Sequence, residues 1–373
     1  MQNIKMVDLH GQYLHIKSEI DQAIQQVLDE SMFINGPSVK KFAGSLATYL
    51  NVEHIIPCGN GTDALQIALM SLDLKKGDEV IIPSHTYVAT AEVAALLGLK
   101  IVFIDVDEYD FTIDVKELEK VITSKTKVIV PVHLYGQCAN MEVIMKIAQE
   151  NDLFVIEDTA QALGADYLPT NLKAGTIGHI GTTSFFPSKT LGAYGDGGAL
   201  MTNDDALAEK CKMIANHGQP KKYQHDIIGC NSRLDTLQAA ILDVKLKYLN
   251  QYNKQRQEVA SFYDEVFSTC SFFQVPKRRK DSTHVFHQYT LKCREKRDVL
   301  KKKLHDAGIP TMIYYPIPLH LQKAYEYLGY KKGDILVTEK LSETIISLPV
   351  HTELSKDEQS YISETVLKIV KGI

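Results

Sequence analysis

The sequence predicts an α/β fold, a large domain built on a mostly parallel sheet followed by a smaller C-terminal α+β domain. Three observations predict it. Short apolar runs such as Val80-Ile-Ile82 and Val155-Ile156 alternate with helical stretches, and strands apolar on both faces belong to a sheet covered on both sides. A glycine turn, Gly59-Asn-Gly-Thr62, lies between a strand and a helix. Past residue 245 the alternation ends and a different order of elements begins.

In chain order, Ile16, Ile20, Ala23, Ile24, Val27 and Leu28 recur at helical spacing, which predicts a helix over about 14–30. Phe33-Ile-Asn-Gly-Pro37 ends it with turn chemistry, and a second helix covers about 38–50. Ile55-Ile-Pro-Cys58 is a strand, and the glycine turn opens a helix to about Leu72. Strands follow at about 79–83, 101–105, 127–132 and 153–157, separated by helices near 88–97, 115–122 and 140–150. In such a sheet the crossovers are right-handed and the chemistry sits beyond the carboxyl ends of the strands.

Gly198-Ala-Leu-Met-Thr202 reads as a further strand and 204–215 as a helix. From Asn231 one long helix is expected to run past Tyr248 toward Phe267, bridging a large domain of residues 1–245 and a small one of 246–373. The small domain is expected to hold strands at His287–Leu291 and Met312–Tyr315, a helix at about 296–307 and a closing helix at about 355–371.

The chain has 373 residues, 45% of them hydrophobic and 23% charged, ordinary for a globular enzyme. A formal net charge of -5 argues against a nucleic-acid or membrane-surface binder, either of which normally shows a basic face. Lys277-Arg-Arg-Lys280 is the one dense basic run and reads as a solvated loop. The six cysteines are scattered with no CxxC pair, as expected of reduced cytosolic thiols, and no metal site is expected. Met1-Gln-Asn-Ile-Lys-Met lacks an apolar signal core, and no run approaches a membrane span, so the cytoplasm is the expected compartment.

The chemistry centres on Thr183-Ser-Phe-Phe-Pro-Ser-Lys189, where an apolar segment delivers one lysine just before a glycine-rich run. Lys189 is a candidate imine-forming amine. The Gly59–Thr62 turn can offer backbone amides and a helix dipole to an anion, though glycine turns before helices are common. It is neither a Walker P-loop nor a dinucleotide fingerprint. Asp158, ending an apolar strand, can keep a ring nitrogen protonated, or act as a turn or cap aspartate. Gln161 would meet the same ligand, and Tyr87, past the strand Val80–Pro83, can lay its ring on a flat ligand or pack at the rim. Together these suit pyridoxal 5′-phosphate, with the hydroxyl of Ser184 on the phosphate and Lys189 shuttling a proton.

Five stretches, Gly59–Leu65, Pro83–Thr90, Glu157–Ala165, Ser184–Lys189 and Asn231–Leu242, resemble the DegT/StrS family of nucleotide-sugar aminotransferases. The resemblance covers essentially the whole chain. It implies the fold-type I, aspartate aminotransferase-like architecture with a mostly parallel seven-stranded sheet, a homodimer with shared active sites, and glutamate as amino donor. Carried over, the roles are imine formation for Lys189, the pyridine nitrogen for Asp158, the ring oxygen for Gln161 and stacking for Tyr87. Gly61, Thr62 and Ser184 would hold the phosphate, and Asn231 would reach it from the partner subunit.

Family members that act as dehydratases carry histidine in place of the lysine, so Lys189 favours transamination. A regulatory relative without turnover is the remaining alternative, and no DNA-binding segment supports it. The lysine motif, His217-Gly-Gln219 and Asn231–Asp235 resemble the branch that aminates C-3 of a keto sugar. Two substrates compete there, a UDP-linked 2-acetamido-3-keto-glucuronate and a dTDP-linked 3-keto-6-deoxyhexose. Arg233 would pair with a sugar or donor carboxylate, or form a salt bridge at the start of a helix. Tyr315 and His320, in the stretch Tyr314–His320, are substrate-side candidates, His320 either tuning the substrate or packing.

Overall fold

The computed structural model describes residues 4–373, so the sequence reading of the first three residues lies outside it. The alternation becomes one seven-stranded sheet in the order β1-β9-β8-β5-β4-β2-β3. The strands are β1 (His54–Cys58), β2 (Glu79–Pro83), β3 (Lys100–Ile104), β4 (Thr126–Ile129), β5 (Phe154–Asp158), β8 (Ile180–Ser184) and β9 (Gly198–Thr202), with β6 (Asp166–Tyr167) and β7 (Leu172–Lys173) forming a small ribbon between. Only β9 runs against its neighbours; the other six are parallel to one another. Six strands therefore end on one edge.

Both faces are covered, as expected of continuous apolar strands. Val80 and Ile82 of β2 face a cluster with α4 (Gly61–Met70), α5 (Ala89–Leu96) and α8 (Asp205–Ala215), whereas Ile81 faces α6 (Val115–Val121) and α7 (Met141–Glu150). The alternation follows from the two-residue period of a strand. Each such side chain stabilises the fold by about 1.5–3 kcal/mol relative to exposure. Near β1 and β9 the second face is closed by α3 (Pro37–Leu50) and α9 (Thr236–Leu246).

Three expectations need correction. The helix expected over about 14–30 starts at Lys17 as α2 (Lys17–Glu30), and an unexpected α1 (Leu9–His15) precedes it, the two separated because Ile16 leaves helical geometry at φ -118°, ψ 18°. The long bridging helix begins only at Thr236 and is interrupted at Lys247 and Tyr248, continuing as α10 (Leu249–Phe267). Asn231–Asp235 is extended instead, with Asn231 in a bridge to Asn216 and Asp235 in one to Ile34.

Beyond α10 the chain holds a three-stranded antiparallel sheet, β10 (Phe273–Gln274), β11 (Tyr289–Cys293) and β12 (Ile345–Leu348). Around it lie α11 (Arg297–Asp306), α12 (Leu336–Thr344) and α13 (Lys356–Val370), the last opened by a Ser355/Glu358 capping box. The expected strand at 312–315 is absent: only Met312 bridges, to Ser347. Pro310, Pro316 and Pro318 surround that stretch, and proline cannot donate to a ladder, so pairing along the outer edge of β12 stops at that one bridge.

Candidate active site

Beyond β8 the chain turns sharply, with the Lys189 amide donating to the Phe186 carbonyl at 2.8 Å and Ala193 donating to Phe185 at 2.8 Å. This fold-back carries Lys189 into the edge where the parallel strands end. Burial lowers the pKa of its amine to about 8, and the negative charge of Asp158 opposes that shift. The unprotonated amine is therefore accessible near neutral pH.

Asp158 ends β5 and is 6% exposed. One carboxylate oxygen accepts from the Thr90 hydroxyl at 2.8 Å and the other from the Ala160 amide at 3.1 Å. Asp158 thus makes an aspartate turn and still has acceptor capacity to spare, since an ionised carboxylate offers about four lone-pair sites. Gln161 accepts from the Tyr135 amide at 2.8 Å and donates to the Tyr315 hydroxyl at 3.2 Å. Tyr87, 58% exposed, presents its ring 6.0 Å from that of Tyr315.

The glycine turn opens α4, whose first residues are Gly61 and Thr62, and the Asn60 side chain caps it by accepting from the Asp63 amide at 2.8 Å. The first N–H groups of a helix have no intrahelical partner. A Cβ on Gly61 would lie 2.6 Å from the Ser184 Cβ, so glycine is what lets the end of β8 approach the helix. The Gly59 amide is not open: it donates to the Ser232 hydroxyl at 2.9 Å, which donates to Asp63 at 2.6 Å. That contact draws the Asn231 segment to the cradle while Asn231 itself stays exposed.

Arg233 is half-buried and, among the described residues, has no carboxylate within salt-bridge distance; the helix-start ion pair does not form. Tyr315 is brought to Gln161 and Tyr87, as just described. His320 lies apart from that group of contacts. Its ring is 1% exposed, with Nδ1 2.7 Å from the Ser84 hydroxyl and Nε2 3.1 Å from Glu339. It fastens the 314–320 segment to the end of β2.

Four residues at the site were given no role from the sequence, although His85 and Thr90 lie inside the Pro83–Thr90 stretch. Thr90 closes the Pro83–Thr90 motif, yet its partner is 68 positions away. Tyr135 holds Gln161 and donates its hydroxyl to the Tyr314 carbonyl. His85, held neutral by burial with a pKa of about 4, lies 3.1 Å from the Tyr135 hydroxyl. His287 is pushed well below the usual histidine range by burial first, and then by the positive charges of Lys189 and Arg256. No local pattern marks a lone histidine beside a strand.

The model of the DegT/DnrJ/EryC1/StrS aminotransferase family matches residues 14–367. A relative from Geobacillus stearothermophilus named pleiotropic regulatory protein is 46% identical, covering 99% of each chain. The UDP-2-acetamido-2-deoxy-3-oxo-D-glucuronate aminotransferase of Pseudomonas aeruginosa is 44% identical over 94% of this chain and 96% of that one. Among solved structures, DesV of S. venezuelae, in complex with a ketimine intermediate, is 35% identical with a TM-score of 0.97 over 100% of both chains. The lysine, the strand-end carboxylate and the glycine cradle thus stand in a chain that belongs to the DegT/DnrJ/EryC1/StrS aminotransferase family.

Proposed function

We propose that this protein is a pyridoxal phosphate-dependent aminotransferase that transfers an amino group, with glutamate as donor, to the C-3 keto group of a nucleotide-diphosphate-linked sugar. The residues fit the cofactor: a carboxylate with acceptor capacity to spare, a glycine approach no side chain fills, and an exposed aromatic face. The observation that carries the reading is the gathering of the Lys189 amine, which feels the charge of Asp158, with that carboxylate and the close approach of Gly61 to Ser184.

Bound pyridoxal phosphate supplies an electron sink. Gly61 and Thr62 would direct their amides, and Ser184 its hydroxyl, at the phosphate. Asp158, fixed by Thr90 and Ala160, would hold the ring nitrogen protonated. Gln161 would meet the ring oxygen and Tyr87 would cover one ring face. Lys189 would hold the cofactor through Nζ and, once released, carry a proton from the substrate carbon as a general base. In a homodimer the exposed Asn231 of one protomer would reach the cofactor phosphate of the other.

The Pseudomonas relative's name supports a UDP-2-acetamido-3-keto-glucuronate substrate, and names of other relatives keep a dTDP-3-keto-6-deoxyhexose as the competitor; a role in bacterial surface polysaccharide synthesis is our own assignment. Arg233, with no carboxylate of its own, suits a ligand carboxylate; Tyr315 lines the same side, and His320 acts by holding the loop. No helix among the described residues is long and apolar enough to cross a membrane, and the cytoplasm is the compartment we assign. A regulatory role without turnover, suggested by the Geobacillus relative's name, would leave the amine unused.

The test supplies purified protein with glutamate and each keto sugar. Formation of 2-oxoglutarate in proportion to amino sugar is expected, with turnover and visible cofactor absorbance both lost in Lys189→Ala. Turnover surviving that substitution would sink the assignment, and sequence-specific DNA binding without turnover would favour the regulatory role.

A further inference from the structure

A second lysine, Lys245, is 1% exposed, yet no carboxylate lies within salt-bridge distance of it among the described residues. Its Nζ donates to the Gly192 carbonyl and sits 5.1 Å from the centroid of the Tyr194 ring. Burying an amine costs stability unless it is well paired, and an apolar side chain of similar length would fill the space at less cost. Stability alone therefore gives a poor account of this lysine, and the loop it touches gives a better one.

That loop is the one that follows Lys189. Lys245 and Gln238 stand seven residues apart on α9, two helical turns, and so share one face. Gln238 accepts from the Tyr194 amide at 2.8 Å, while Lys245 holds the carbonyl of Gly192. Two glycines let the loop lie this close. A Cβ on Gly195 would sit 3.0 Å from the Gln238 amide nitrogen, and one on Gly192 would sit 2.2 Å from the Pro187 carbonyl oxygen. The last contact matters most, because Pro187 belongs to the turn that presents Lys189. Between the two grips, Ala193 donates to the Phe185 carbonyl at 2.8 Å. An unbroken series of contacts thus runs from α9 through Gly192 and Ala193 to the backbone on which the catalytic amine is mounted.

We infer that Lys245 is a positioning residue for this site: together with Gln238 it clamps the 190–195 loop against α9 and so fixes the backbone that aims Lys189. The inference rests on the proposed role of Lys189, and the experiment keeps the two separable. Nothing in it requires Lys245 to touch cofactor or substrate. Misaiming an amine by a fraction of an ångström to an ångström lowers rate by far more than it lowers binding of a nucleotide sugar held elsewhere.

The experiment compares holoenzymes carrying Lys245→Met and Lys245→Arg with the parent in three measurements: unfolding temperature, rate of loss of the visible cofactor band on dialysis, and steady-state kinetics. Lys245→Met is expected to unfold at or above the parent temperature. It should lose the cofactor faster and show kcat lower by about ten- to a hundredfold, with KM for the sugar within about twofold of the parent. Lys245→Arg keeps a donor for the Gly192 carbonyl and is expected to recover part of kcat.

An unchanged kcat and release rate in Lys245→Met would overturn the inference. So would a fall in unfolding temperature with both quantities intact, which would make Lys245 a stability element alone. Should the methionine variant fail to fold, Gln238→Leu loosens the other flank of the same loop and is judged by the same outcomes. Lys189→Ala serves as the control: a visible band retained there would sink the role of Lys189 itself, whatever Lys245 does.

Discussion

Glu157 and Asp158 are consecutive on β5 and leave the sheet on opposite faces, and they have been given opposite surroundings. Glu157 is fully buried, and all its acceptor capacity is taken: one oxygen by the amides of Ile177 at 2.7 Å and Gly178 at 2.6 Å, the other by Gly175 at 2.9 Å and His133 Nε2 at 2.8 Å. Asp158 has two donors, Thr90 and Ala160. A carboxylate with every lone pair used can only hold its neighbours in place, whereas one with capacity left can take a third donor from a ligand. The lysines divide the same way, Lys245 spent on a backbone carbonyl and Lys189 left with no side-chain hydrogen bond or ion pair among the described residues.

Swapping the character of each carboxylate would test that division. Asp158→Asn keeps the shape but removes the charge, and should lower kcat by about 10²–10⁴-fold, the range of a positioned proton-transfer or charge-stabilising group, with little change in unfolding temperature. Glu157→Gln should do the reverse. It places an NH₂ group against backbone donors, so stability should fall by about 3 kcal/mol in denaturant titrations, while the variant molecules that remain folded turn over normally. If Glu157→Gln instead costs rate and spares stability, the division fails.

The lysines supply a pH signature in protein freed of cofactor. Burial lowers the Lys189 pKa from 10.5 to about 8, so between these values the unfolded chain holds the proton that the folded chain has released. Stability should therefore rise with pH across that window and be independent of this group below it. Lys245, lowered by burial and by Arg256 to about 7, adds the same sign starting at lower pH. Chemical denaturation from pH 7 to 10 reads the slope, and Lys189→Ala should flatten its upper part alone. The smallest effect is expected at the rim: Tyr87→Leu should weaken cofactor retention by about 0.5–1.5 kcal/mol, the worth of an aromatic contact, seen as faster cofactor loss with kcat near the parent value.

Much of this was legible in the chain. Asn60, Gly61 and Thr62 announced a helix start able to receive an anion, since caps and glycine turns are local devices. Asp158 was legible as a strand-end carboxylate, and Lys189 as an amine delivered by an apolar segment. What could not be read was which groups are already spoken for. The Gly59 amide looked open and belongs to Ser232, 173 positions on. His320 could be read as tuning the substrate or as packing, and only the structure shows its ring committed to Ser84, 236 positions back, and to Glu339. The break at Lys247 and Tyr248 was invisible because the apolar spacing continues through it, and the expected strand at 312–315 is reduced to one bridge on β12 by the prolines around it.

The sequence by itself determined the alternation of strands and helices, the glycine turn and the lysine after β8, because periodicity, caps and backbone permissiveness act within a few residues. Only the tertiary structure decided which carboxylate stays open, which lysine is consumed by a carbonyl, and which histidine is a fastening. Those outcomes depend on partners brought together across tens to hundreds of residues. A hydrogen-bonding group's chemistry is what remains after its neighbours have been satisfied.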